Sequence, residues 1–216
     1  MAAIVSYSAS ALDGLSQRVK AVTQRGEVVA IPTETYYGLG VDPFNPEAVD
    51  RLLAVKGREA GKPILVLIGS LGQLSLLTQS VPSAASSLIE AFWPGPLTIL
   101  FPARSSLPRN LTAGSGMVGV RLSSCRPLCE LLQRIGPLTG TSANRTGAPP
   151  AQTPEAVQES LHDEVELIVD GGATPGGLPS TVIEAVGSLR IIREGAIKRA
   201  ALESLLRMRG FSLNAS

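Results

Sequence analysis

Short apolar runs and amphipathic stretches follow one another along this chain without a regular alternation, and this order most constrains the fold. Apolar runs typical of strands cover residues 27–31, 64–68, 97–101, 117–121, 166–170, 181–185 and 189–193. Apolar residues at helical spacing, or helix start signals, mark residues 10–25, 45–56, 83–92, 127–134, 154–161 and 198–208. Because a strict βαβ repeat is missing, we predict an α/β fold in which helices flank a mixed, twisted β-sheet.

The composition is typical of one compact domain. The chain has 216 residues, of which 44% are hydrophobic and 17% are charged. No apolar run approaches the ~20 residues that a membrane-spanning helix needs, and we see no secretory signal at the N-terminus. The two cysteines, Cys125 and Cys129, are spaced for neither a disulfide framework nor a zinc knuckle, so we expect a reduced, cytoplasmic protein.

Charge is distributed unevenly along the chain, although the formal net charge is only +1. Residues 56–145 contain 9 basic and 3 acidic side chains, whereas residues 1–55 contain 4 basic and 6 acidic ones, and residues 146–216 contain 6 basic and 9 acidic ones. The middle segment therefore either faces an anion or carries ordinary surface charge. The clustering of basic residues at 56–62 favours an anion site.

Two short polar clusters are the most informative local features. In the Lys-Gly-Arg of residues 56–58 and the Ser-Ala-Asn of residues 142–144, two polar side chains are spaced i and i+2. Each pair therefore lies on one side of an extended segment or of a tight turn. The first cluster supplies cationic donors, and the second supplies a hydroxyl and an amide that donate and accept hydrogen bonds. We interpret the two clusters as two sides of one polyanion-binding site.

The segment Pro32–Gly40 follows a predicted strand and is the next candidate. Its threonines and Glu34 stand where strand ends often meet ligands in α/β proteins. The alternative is a local turn in which the threonine hydroxyls bond to their own backbone. The glycines at its end indicate close backbone approach or a positive φ, while Tyr36 and Tyr37 serve either packing or stacking.

Glycine is also concentrated in residues 171–177, between two predicted strands. This segment is either a flexible connection or a loop that brings Ser180 and backbone N–H groups to a ligand. The chain has neither a Walker A sequence nor a Gly-x-Gly-x-x-Gly that opens a helix. A bound nucleotide would therefore be held by other means.

Two arginines stand at the ends of predicted strands. Arg121 closes an apolar run, and a buried or half-buried arginine is seldom unpaired. Its partner is either a protein carboxylate or a ligand carboxylate, for which the guanidinium fork is well suited. Acidic residues are few between positions 56 and 145, which favours the ligand. The same argument applies with less force to Arg193, because Glu194 is adjacent.

Several motifs occur in an order that resembles one known family. They are Pro-Thr-Glu-Thr-Tyr-Tyr-Gly-Leu-Gly at 32–40, Lys-x-Arg at 56–58, Pro-Gly-Pro-Leu-Thr at 94–98, Val-Gly-Val-Arg at 118–121, Ser-x-Asn at 142–144 and Pro-Ser-Thr at 179–181. This set resembles the YrdC-like threonylcarbamoyl-AMP synthases over about residues 10–197, in the short bacterial form without an additional C-terminal domain. The resemblance implies one YrdC-like catalytic domain at 10–197 with a concave basic cavity, and a C-terminal helix and tail of the same domain at 198–216.

The resemblance also implies a nucleotidyltransferase. In this family, L-threonine, bicarbonate and ATP give L-threonylcarbamoyl-AMP and pyrophosphate, and a separate complex transfers the threonylcarbamoyl group to a tRNA adenosine beside the anticodon. The implied cofactor is Mg²⁺, carried by the ATP phosphates without a protein cage. The implied threonine-binding residues are Thr35, Arg121 and Ser180. The implied ATP-binding residues are Lys56, Arg58, Lys62, Ser142, Asn144 and Arg193, among which Lys56, Arg58, Ser142 and Asn144 form the implied catalytic group.

Three positions depart from the family pattern. Tyr36 replaces the usual valine of the first motif, Leu67 stands where relatives often have a histidine of the threonine pocket, and Met117 replaces a threonine ahead of the Val-x-Val-Arg strand. We expect the last two to alter the shape of the substrate pocket.

Two alternative functions follow from the same features. A related YrdC-like module adenylates carbamate from carbamoyl phosphate in hydrogenase maturation proteins, but those chains also have zinc-finger and acylphosphatase parts, which this sequence lacks. A non-catalytic RNA-binding protein would use the basic middle segment, and RNA contact could accompany catalysis. The near-neutral charge and the lack of an RNA-binding signature favour the enzyme, and we expect no membrane partner.

Overall fold

The computed structural model describes residues 2–57 and 63–214. The strands in this part are β1 (Ala3–Ser6), β2 (Val29–Ile31), β3 (Gly38–Gly40), β4 (Leu65–Ile68), β5 (Leu97–Pro102), β6 (Met117–Leu122), β7 (Leu138–Thr139), β8 (Thr141–Ser142), β9 (Leu167–Asp170), β10 (Thr181–Val186) and β11 (Ser188–Arg193). The α-helices are α1 (Leu12–Gln24), α2 (Pro46–Lys56), α3 (Ser83–Phe92), α4 (Arg126–Ile135), α5 (Pro154–Leu161) and α6 (Arg199–Met208).

The strands form two mixed sheets rather than the single sheet that the sequence predicted. The first sheet has the order β1-β9-β2-β3-β8, and the second has the order β11-β10-β5-β6-β4-β7. Each sheet combines parallel pairs, such as β1 with β9 and β10 with β5, and antiparallel pairs, such as β2 with β3 and β5 with β6. The predicted mixed α/β architecture with flanking helices is confirmed. The division into two sheets was not predictable, because an apolar run does not specify its pairing partner.

Helix boundaries follow the capping signals in the sequence. The Asn45 side chain accepts hydrogen bonds from two backbone N–H groups in the first turn of α2, at 3.0 and 3.2 Å. Thr153 caps α5 in the same way, with its Oγ1 3.2 Å from a first-turn nitrogen. Helix α2 ends at Lys56 because Gly57 adopts the left-handed conformation, with a φ of 56°. The chain thereby places the Lys56 side chain at the C-terminal end of a helix.

Side chains of the second sheet alternate between its two faces, so that one face is apolar and buried and the other carries polar side chains. One face of β5 and β6 is fully buried in the larger of two hydrophobic clusters, through Ile99, Phe101, Val118 and Val120. The intervening positions, which point to the other face, are Thr98, Leu100, Gly119 and Arg121. This second face is the one that borders the cavity described below.

Helices cover the apolar faces of both sheets. Helix α6 buries Leu202 and Leu206 in the larger cluster, together with residues of α2, α3 and α5. The smaller cluster joins α1 and α4 to the first sheet and to Leu67 of β4. Among the described residues, we find no helix with the length and apolar character that crossing a membrane requires.

Four strands have no counterpart in the sequence prediction: β1, β3, β7 and β8. Three of them, β3, β7 and β8, contain only two or three residues. A period of two cannot be recognised in so few positions. They form because their partners are already fixed in the sheets, and two of them, β3 and β8, carry residues of the candidate site.

Candidate active site

A cavity of about 230 Å³ is lined by residues from both sheets. Two arginines contribute to this lining, together with the hydroxyl groups of several serines, threonines and tyrosines. No acidic residue occurs among the described lining residues. The cavity therefore suits a small anionic ligand that also carries hydrogen-bonding groups.

The structure separates the predicted site residues into three groups. The residues that line the cavity are Thr35, Arg121, Ser142, Ser180 and Arg193. Lys56 and Asn144 do not appear in the lining and are hydrogen-bonded to the segment that carries Ser142. Arg58 and Lys62 lie outside the described residues. The concave basic shape of the cavity stays a prediction, because the prediction relied on these two cations.

Pairing of β3 with β8 brings the first motif next to the Ser-Ala-Asn cluster. Gly38 of β3 pairs with Ser142 of β8 in an antiparallel arrangement. Immediately beyond this pair, the backbone N–H of Ala143 donates to the Tyr37 carbonyl at 2.7 Å. Two motifs that are far apart in sequence therefore form one continuous wall of the cavity.

The Lys56 ammonium lies against the turn formed by residues 142–144. It donates hydrogen bonds to the Ser142 carbonyl at 2.7 Å, to the Asn144 carbonyl at 2.6 Å and to Asn144 Oδ1 at 2.8 Å. Lys56 is only 5% exposed. The end of α2 is thus joined to the end of β8, and the two polar clusters meet as the sequence predicted for Lys56.

The Asn144 amide is hydrogen-bonded at both ends within the protein. Its Oδ1 accepts from the Lys56 ammonium and from the Ser142 hydroxyl, the latter at 2.6 Å. Its Nδ2 donates to the carbonyls of Arg145 at 3.0 Å and Ala148 at 2.5 Å. The amide therefore connects the buried lysine to the serine that faces the cavity.

Arg121 has a protein carboxylate beside it, which is the alternative that the sequence analysis disfavoured. Its Nε lies 3.5 Å from Oε1 of Glu34, and these two buried atoms form no hydrogen bond with described residues. The carboxylate belongs to residue 34. The scarcity of acidic residues between 56 and 145 therefore did not exclude a protein partner for Arg121. Burial lowers the pKa of the Arg121 guanidinium, and the charge of Glu34 partly opposes this shift. Arg121 also lines the cavity.

Glu34 is held on its other side by a small polar cluster. The fully buried Ser123 hydroxyl donates to Glu34 Oε2 and accepts from the Cys125 N–H at 3.1 Å. Cys129 donates through Sγ to the Ser123 carbonyl at 2.9 Å. Burial raises the pKa of Cys125 and raises the pKa of Cys129 to about 11. Both thiols are therefore protonated near neutral pH and are poor nucleophiles. The Cys129 thiol supports the cluster through the Ser123 carbonyl, and Cys125 contributes its backbone N–H.

Arg193 and Ser180 form a second polar contact on the cavity wall. Arg193 donates to the Ser180 carbonyl at 2.9 Å and approaches the Ser180 hydroxyl at 3.4 Å. The Ser180 hydroxyl also lies 3.0 Å from the Thr98 hydroxyl, and either group can be the donor. Three side chains from β5, the start of β10 and β11 are thus linked across the sheet.

The charge of Arg193 is not neutralised by its neighbour in sequence. The Glu194 carboxylate instead lies 3.5 Å from Lys198 Nζ. Among the described residues, Arg193 forms no ion pair with any carboxylate. Burial lowers the pKa of Arg193, and repulsion from Arg121 lowers it further. The two guanidinium groups therefore concentrate positive charge in one cavity.

The threonines of the first motif form a local turn and also line the cavity. Thr33 donates through Oγ1 to the Tyr36 carbonyl at 2.7 Å, and its hydroxyl lies 3.1 Å from that of Thr35. Both threonines belong to the cavity lining. The hydroxyl-bonded turn is therefore present in a segment that lines the cavity, and its contact with a ligand stays a prediction.

The glycine-rich segment 171–177 is tied to the same turn. The Tyr36 hydroxyl donates to the Gly177 carbonyl at 2.6 Å, and the Thr35 carbonyl accepts from a backbone N–H of the segment at 2.7 Å. Tyr37 is fully buried, and its hydroxyl donates to another carbonyl of the segment at 2.8 Å. Burial also raises the pKa of Tyr37 to about 12. Both tyrosines therefore anchor the loop through their hydroxyls.

Two departures from the family pattern lie away from the described cavity lining. Leu67 is fully buried in the smaller hydrophobic cluster and packs against Gly140, where a Cβ would overlap it. The β4 residue that lines the cavity is Leu65. Met117 stands at the start of β6, away from this lining. Any effect of these two side chains on the cavity is therefore indirect.

Sequence reasoning missed Thr98 and Gly119 as cavity residues. Thr98 is the only polar residue in an otherwise apolar strand, and Gly119 is two positions before Arg121. Both residues could have been predicted from the sequence, because residues i and i+2 of a strand share a face. The position of Glu34 beside Arg121 had no comparable signal.

Comparison with known proteins gives this cavity a family context. The Sua5/YciO/YrdC family model, described as "Telomere recombination", matches residues 21–195. The chain belongs to the Sua5/YciO/YrdC family. The matched range contains every described cavity residue from Thr33 to Arg193. The family resemblance that the sequence motifs indicated is therefore confirmed.

Two curated relatives of the family differ in length. A threonylcarbamoyl-AMP synthase of Pyrococcus abyssi is 40% identical over 164 residues, which cover 74% of this chain and 48% of the relative. A putative threonylcarbamoyl-AMP synthase of Mycobacterium tuberculosis is 34% identical over 201 residues, which cover 93% of this chain and 92% of the relative. The chain thus spans about half of the Pyrococcus relative and nearly all of the mycobacterial one.

A solved structure shares the fold. The crystal structure of P. abyssi Sua5 complexed with L-threonine superimposes with a TM-score of 0.87 at 32% sequence identity. The alignment covers 95% of this chain and 61% of that chain. The Sua5 relative therefore shares the fold over nearly all of this chain.

Proposed function

We propose that this protein is a threonylcarbamoyl-AMP synthase, which converts L-threonine, bicarbonate and ATP into L-threonylcarbamoyl-AMP and pyrophosphate. The observation that carries the proposal is the cavity, in which Arg121 and Arg193 lie among hydroxyl groups and, in the described lining, without a carboxylate. Such a lining favours anionic substrates. The names of the two curated relatives agree with this activity.

Threonine is proposed to bind with its carboxylate on Arg121. A guanidinium fork can donate two parallel hydrogen bonds to a carboxylate. The hydroxyls of Thr35 and Ser180 belong to the same lining and would hold the polar groups of the amino acid. The related Sua5 protein, which shares the fold, forms a crystalline complex with L-threonine.

ATP is proposed to bind beside threonine, at the Ser142 side of the cavity. Ser142 and Arg193 both line the cavity and are proposed ATP contacts. Arg58 and Lys62 are proposed as further phosphate contacts because they belong to the same cationic cluster of the sequence as Lys56. Lys56 and Asn144 were also expected to contact ATP, but their polar groups are engaged with the 142–144 turn, and their role is developed below.

The proposed chemistry needs positioning and charge stabilisation more than a strong base. The amine of threonine combines with bicarbonate to form a carbamate and water. A carbamate oxygen then attacks the α-phosphorus of ATP, the bond from that phosphorus to the bridging oxygen breaks, and pyrophosphate leaves. Because the carbamate oxygen is already an anion, no protein group has to deprotonate it at that step. The protein holds two anions together and stabilises the charge that develops on the leaving group.

Mg²⁺ is the proposed cofactor and would arrive on the ATP phosphates. The described lining offers hydroxyl oxygens, such as that of Ser142, and no carboxylate. In the described part of the chain, no group of three or more His, Cys, Asp or Glu residues is arranged to hold a metal. This donor set fits an ion that keeps its phosphate and water ligands. When bound, the ion would offset phosphate charge.

The proposed product determines the proposed partner. Threonylcarbamoyl-AMP is a mixed anhydride that water hydrolyses, so its consumer must transfer the acyl group promptly. We propose that a tRNA-modifying complex in the cytoplasm consumes it. We also propose that this chain contacts RNA directly. The two cysteines are free thiols, which is compatible with a reducing compartment.

A single incubation tests the activity. Purified protein is mixed with ATP, Mg²⁺ and labelled bicarbonate, and then with threonine, serine or valine in separate reactions. We expect a labelled acyl adenylate and an equal amount of pyrophosphate with threonine, and much less of both with the other amino acids. The same protein without bicarbonate provides the control. Absence of threonine-dependent pyrophosphate release would contradict the proposal.

The same assay separates the two alternative functions. ATP cleavage that carbamoyl phosphate triggers and threonine does not would indicate a carbamoyl-adenylating enzyme. RNA binding that weakens steeply with salt, in a protein that cleaves no ATP, would indicate a non-catalytic RNA-binding protein. The described lining, which has two arginines and no carboxylate, favours neither alternative over the synthase.

A further inference from the structure

We propose that Lys56 is a positioning residue: it acts as a built-in cation that holds the Ser142–Asn144 turn in shape, and it does not itself bind the ATP phosphates. The inference concerns the proposed ATP side of the cavity and in that sense rests on the proposed function. The contacts that support it are internal to the protein and can be tested without any substrate.

The first argument is the number of hydrogen bonds that the Lys56 ammonium donates. A lysine ammonium has three protons to donate. Lys56 directs hydrogen bonds to three oxygens of the turn, at 2.6, 2.7 and 2.8 Å. A phosphate contact would require one of these bonds to break inside a region where Lys56 is only 5% exposed. An unpaired buried carbonyl is costly, so the observed arrangement opposes such an exchange.

The convergence of the three oxygens is the second argument. The carbonyls of Ser142 and Asn144 and the amide oxygen of Asn144 all point at one atom. Oxygens that carry partial negative charge repel one another when nothing positive lies between them. The ammonium therefore has the role that a bound metal ion has in other tight turns. Without it, the turn would open so that these oxygens could reach water.

The link to the cavity is the Asn144 amide. The Ser142 hydroxyl donates to Asn144 Oδ1, which accepts from Lys56 as well. If the Ser142 proton rotates toward a phosphate oxygen, the amide oxygen keeps its bond to Lys56 and is not left without a partner. Lys56 would thereby allow Ser142 to change partners on ATP binding while Asn144 stays in place.

The backbone supplies a separate tether that a variant would retain. The Thr146 N–H donates to the Lys56 carbonyl at 2.9 Å, and β8 stays paired with β3. Replacing the lysine side chain therefore removes the cation without removing the attachment of the loop to α2. This makes Lys56→Met, which keeps much of the apolar stem, an informative substitution.

Hydrogen exchange in the substrate-free protein is the first test. In Lys56→Met we expect the backbone N–H groups of Ala143 and Asn144 to exchange at least ~10-fold faster than in the unmodified protein, because the turn opens locally. Arg193→Met is the matched control, since it also removes a cation near the cavity but leaves the turn intact. We expect it to leave these rates unchanged. Unchanged exchange in Lys56→Met would overturn the proposal.

Lysine reactivity in the unmodified protein is the second test, and it remains informative if Lys56→Met fails to fold. The native protein is acetylated with and without ATP and Mg²⁺, and each lysine is quantified by mass spectrometry. We expect Lys56 to stay unmodified in both conditions. Modification without ATP followed by protection with ATP would identify a phosphate ligand, and equal modification in both would show that the ammonium is accessible. Either result would overturn the proposal.

Kinetics separate this inference from the proposed function. If the synthase activity is present, Lys56→Met should lower kcat more than ~10-fold with a change in KM for ATP below ~3-fold, whereas Arg193→Met should raise KM for ATP. If the activity is absent, the proposed function fails, and the exchange and acetylation results still decide the role of Lys56.

Discussion

Positively charged side chains at the two ends of the cavity differ in how completely protein oxygens surround them. At one end, Lys56 is surrounded by three oxygens of the 142–144 turn at hydrogen-bond distance. At the other end, Arg121 has one carboxylate at 3.5 Å, and Arg193 has a carbonyl and a hydroxyl but no carboxylate among the described residues. All three are cations in motifs that sequence reasoning assigned to ligand binding.

The difference distinguishes a cation that stabilises the protein part of a site from a cation that is available to bind the ligand. A buried donor that is fully satisfied by protein oxygens gains little by turning to a ligand. A guanidinium with incomplete partners, already partly desolvated, gains a strong charge-assisted hydrogen bond from an incoming anion. The Lys56 end should therefore respond to substitution through structure, and the arginine end through substrate binding.

The largest effect is expected from Arg121→Met. We expect kcat/KM for threonine to fall at least ~100-fold, because truncating a buried hydrogen-bonded charge costs about 2–5 kcal/mol of binding. We also expect a loss of about 3 kcal/mol in the free energy of unfolding, because Glu34 is left as an unpaired buried carboxylate. Steady-state kinetics and denaturant unfolding measure the two losses.

The double variant Arg121→Met with Glu34→Gln separates these effects. Removing the orphaned charge should restore most of the stability, while the activity stays low. A double variant that regained threonine turnover would show that Arg121 serves only to neutralise Glu34.

A smaller and purely functional effect is expected from Arg193→Met. No carboxylate among the described residues depends on Arg193, and its removal relieves repulsion with Arg121. We expect KM for ATP to rise about 10-fold, since a hydrogen bond to a charged group contributes about 1.5–3 kcal/mol. The thermal midpoint should stay nearly unchanged. A large drop in that midpoint would place Arg193 with Lys56 as a structural cation.

A still smaller effect is expected from Tyr36→Phe, which removes one hydroxyl. The bond to the Gly177 carbonyl at 2.6 Å ties the glycine-rich segment to the cavity wall, and its loss should cost about 1 kcal/mol. We expect KM for threonine to rise several-fold. Tyr36→Val, the residue usual in the family motif, should behave no better than Tyr36→Phe if the hydroxyl is what matters. Recovery of affinity in Tyr36→Val would show that the ring, not the missing bond, causes the effect.

The smallest effect concerns Cys129, which supports Glu34 through Ser123. Burial raises the pKa of this thiol from 9.0 to about 11, so its thiolate fraction at pH 8 should be roughly 100-fold lower than that of an ordinary thiol. Iodoacetamide should therefore alkylate it slowly, with a rate that keeps rising as the pH approaches 11. The measurement uses Cys125→Ala so that only one thiol reacts. Fast alkylation at pH 8 would mean that the cluster behind Arg121 is open to water.

Much of the fold was readable from local signals. Asn45, Thr153 and Gly57 mark helix ends through capping and a left-handed turn, which depend only on neighbouring residues. The paired strands β10 and β11, with their turn at 187–188, follow from alternation and a glycine in the left-handed region. The order of the sequence motifs was enough to indicate the family.

The candidate site could be predicted from the sequence only in part. Among the predicted site residues, Thr35, Ser142, Ser180 and the two arginines line one cavity. Their roles toward threonine and ATP stay predictions. The short strands that hold two motifs together, β3 and β8, left no periodic signal, and Glu34 approached Arg121 from a distant part of the chain.

The sequence by itself determined the α-helices, most of the strands and which residue types can bind an anion, because these depend on local backbone preferences and on side-chain chemistry. Only the tertiary structure decided which charges are neutralised within the protein. Whether a buried donor is satisfied depends on oxygens that folding brings to within about 3 Å, and those oxygens belong to residues far away in sequence. For that reason Lys56 and Arg121, equally plausible as ligand contacts in the sequence, have different surroundings in the folded protein.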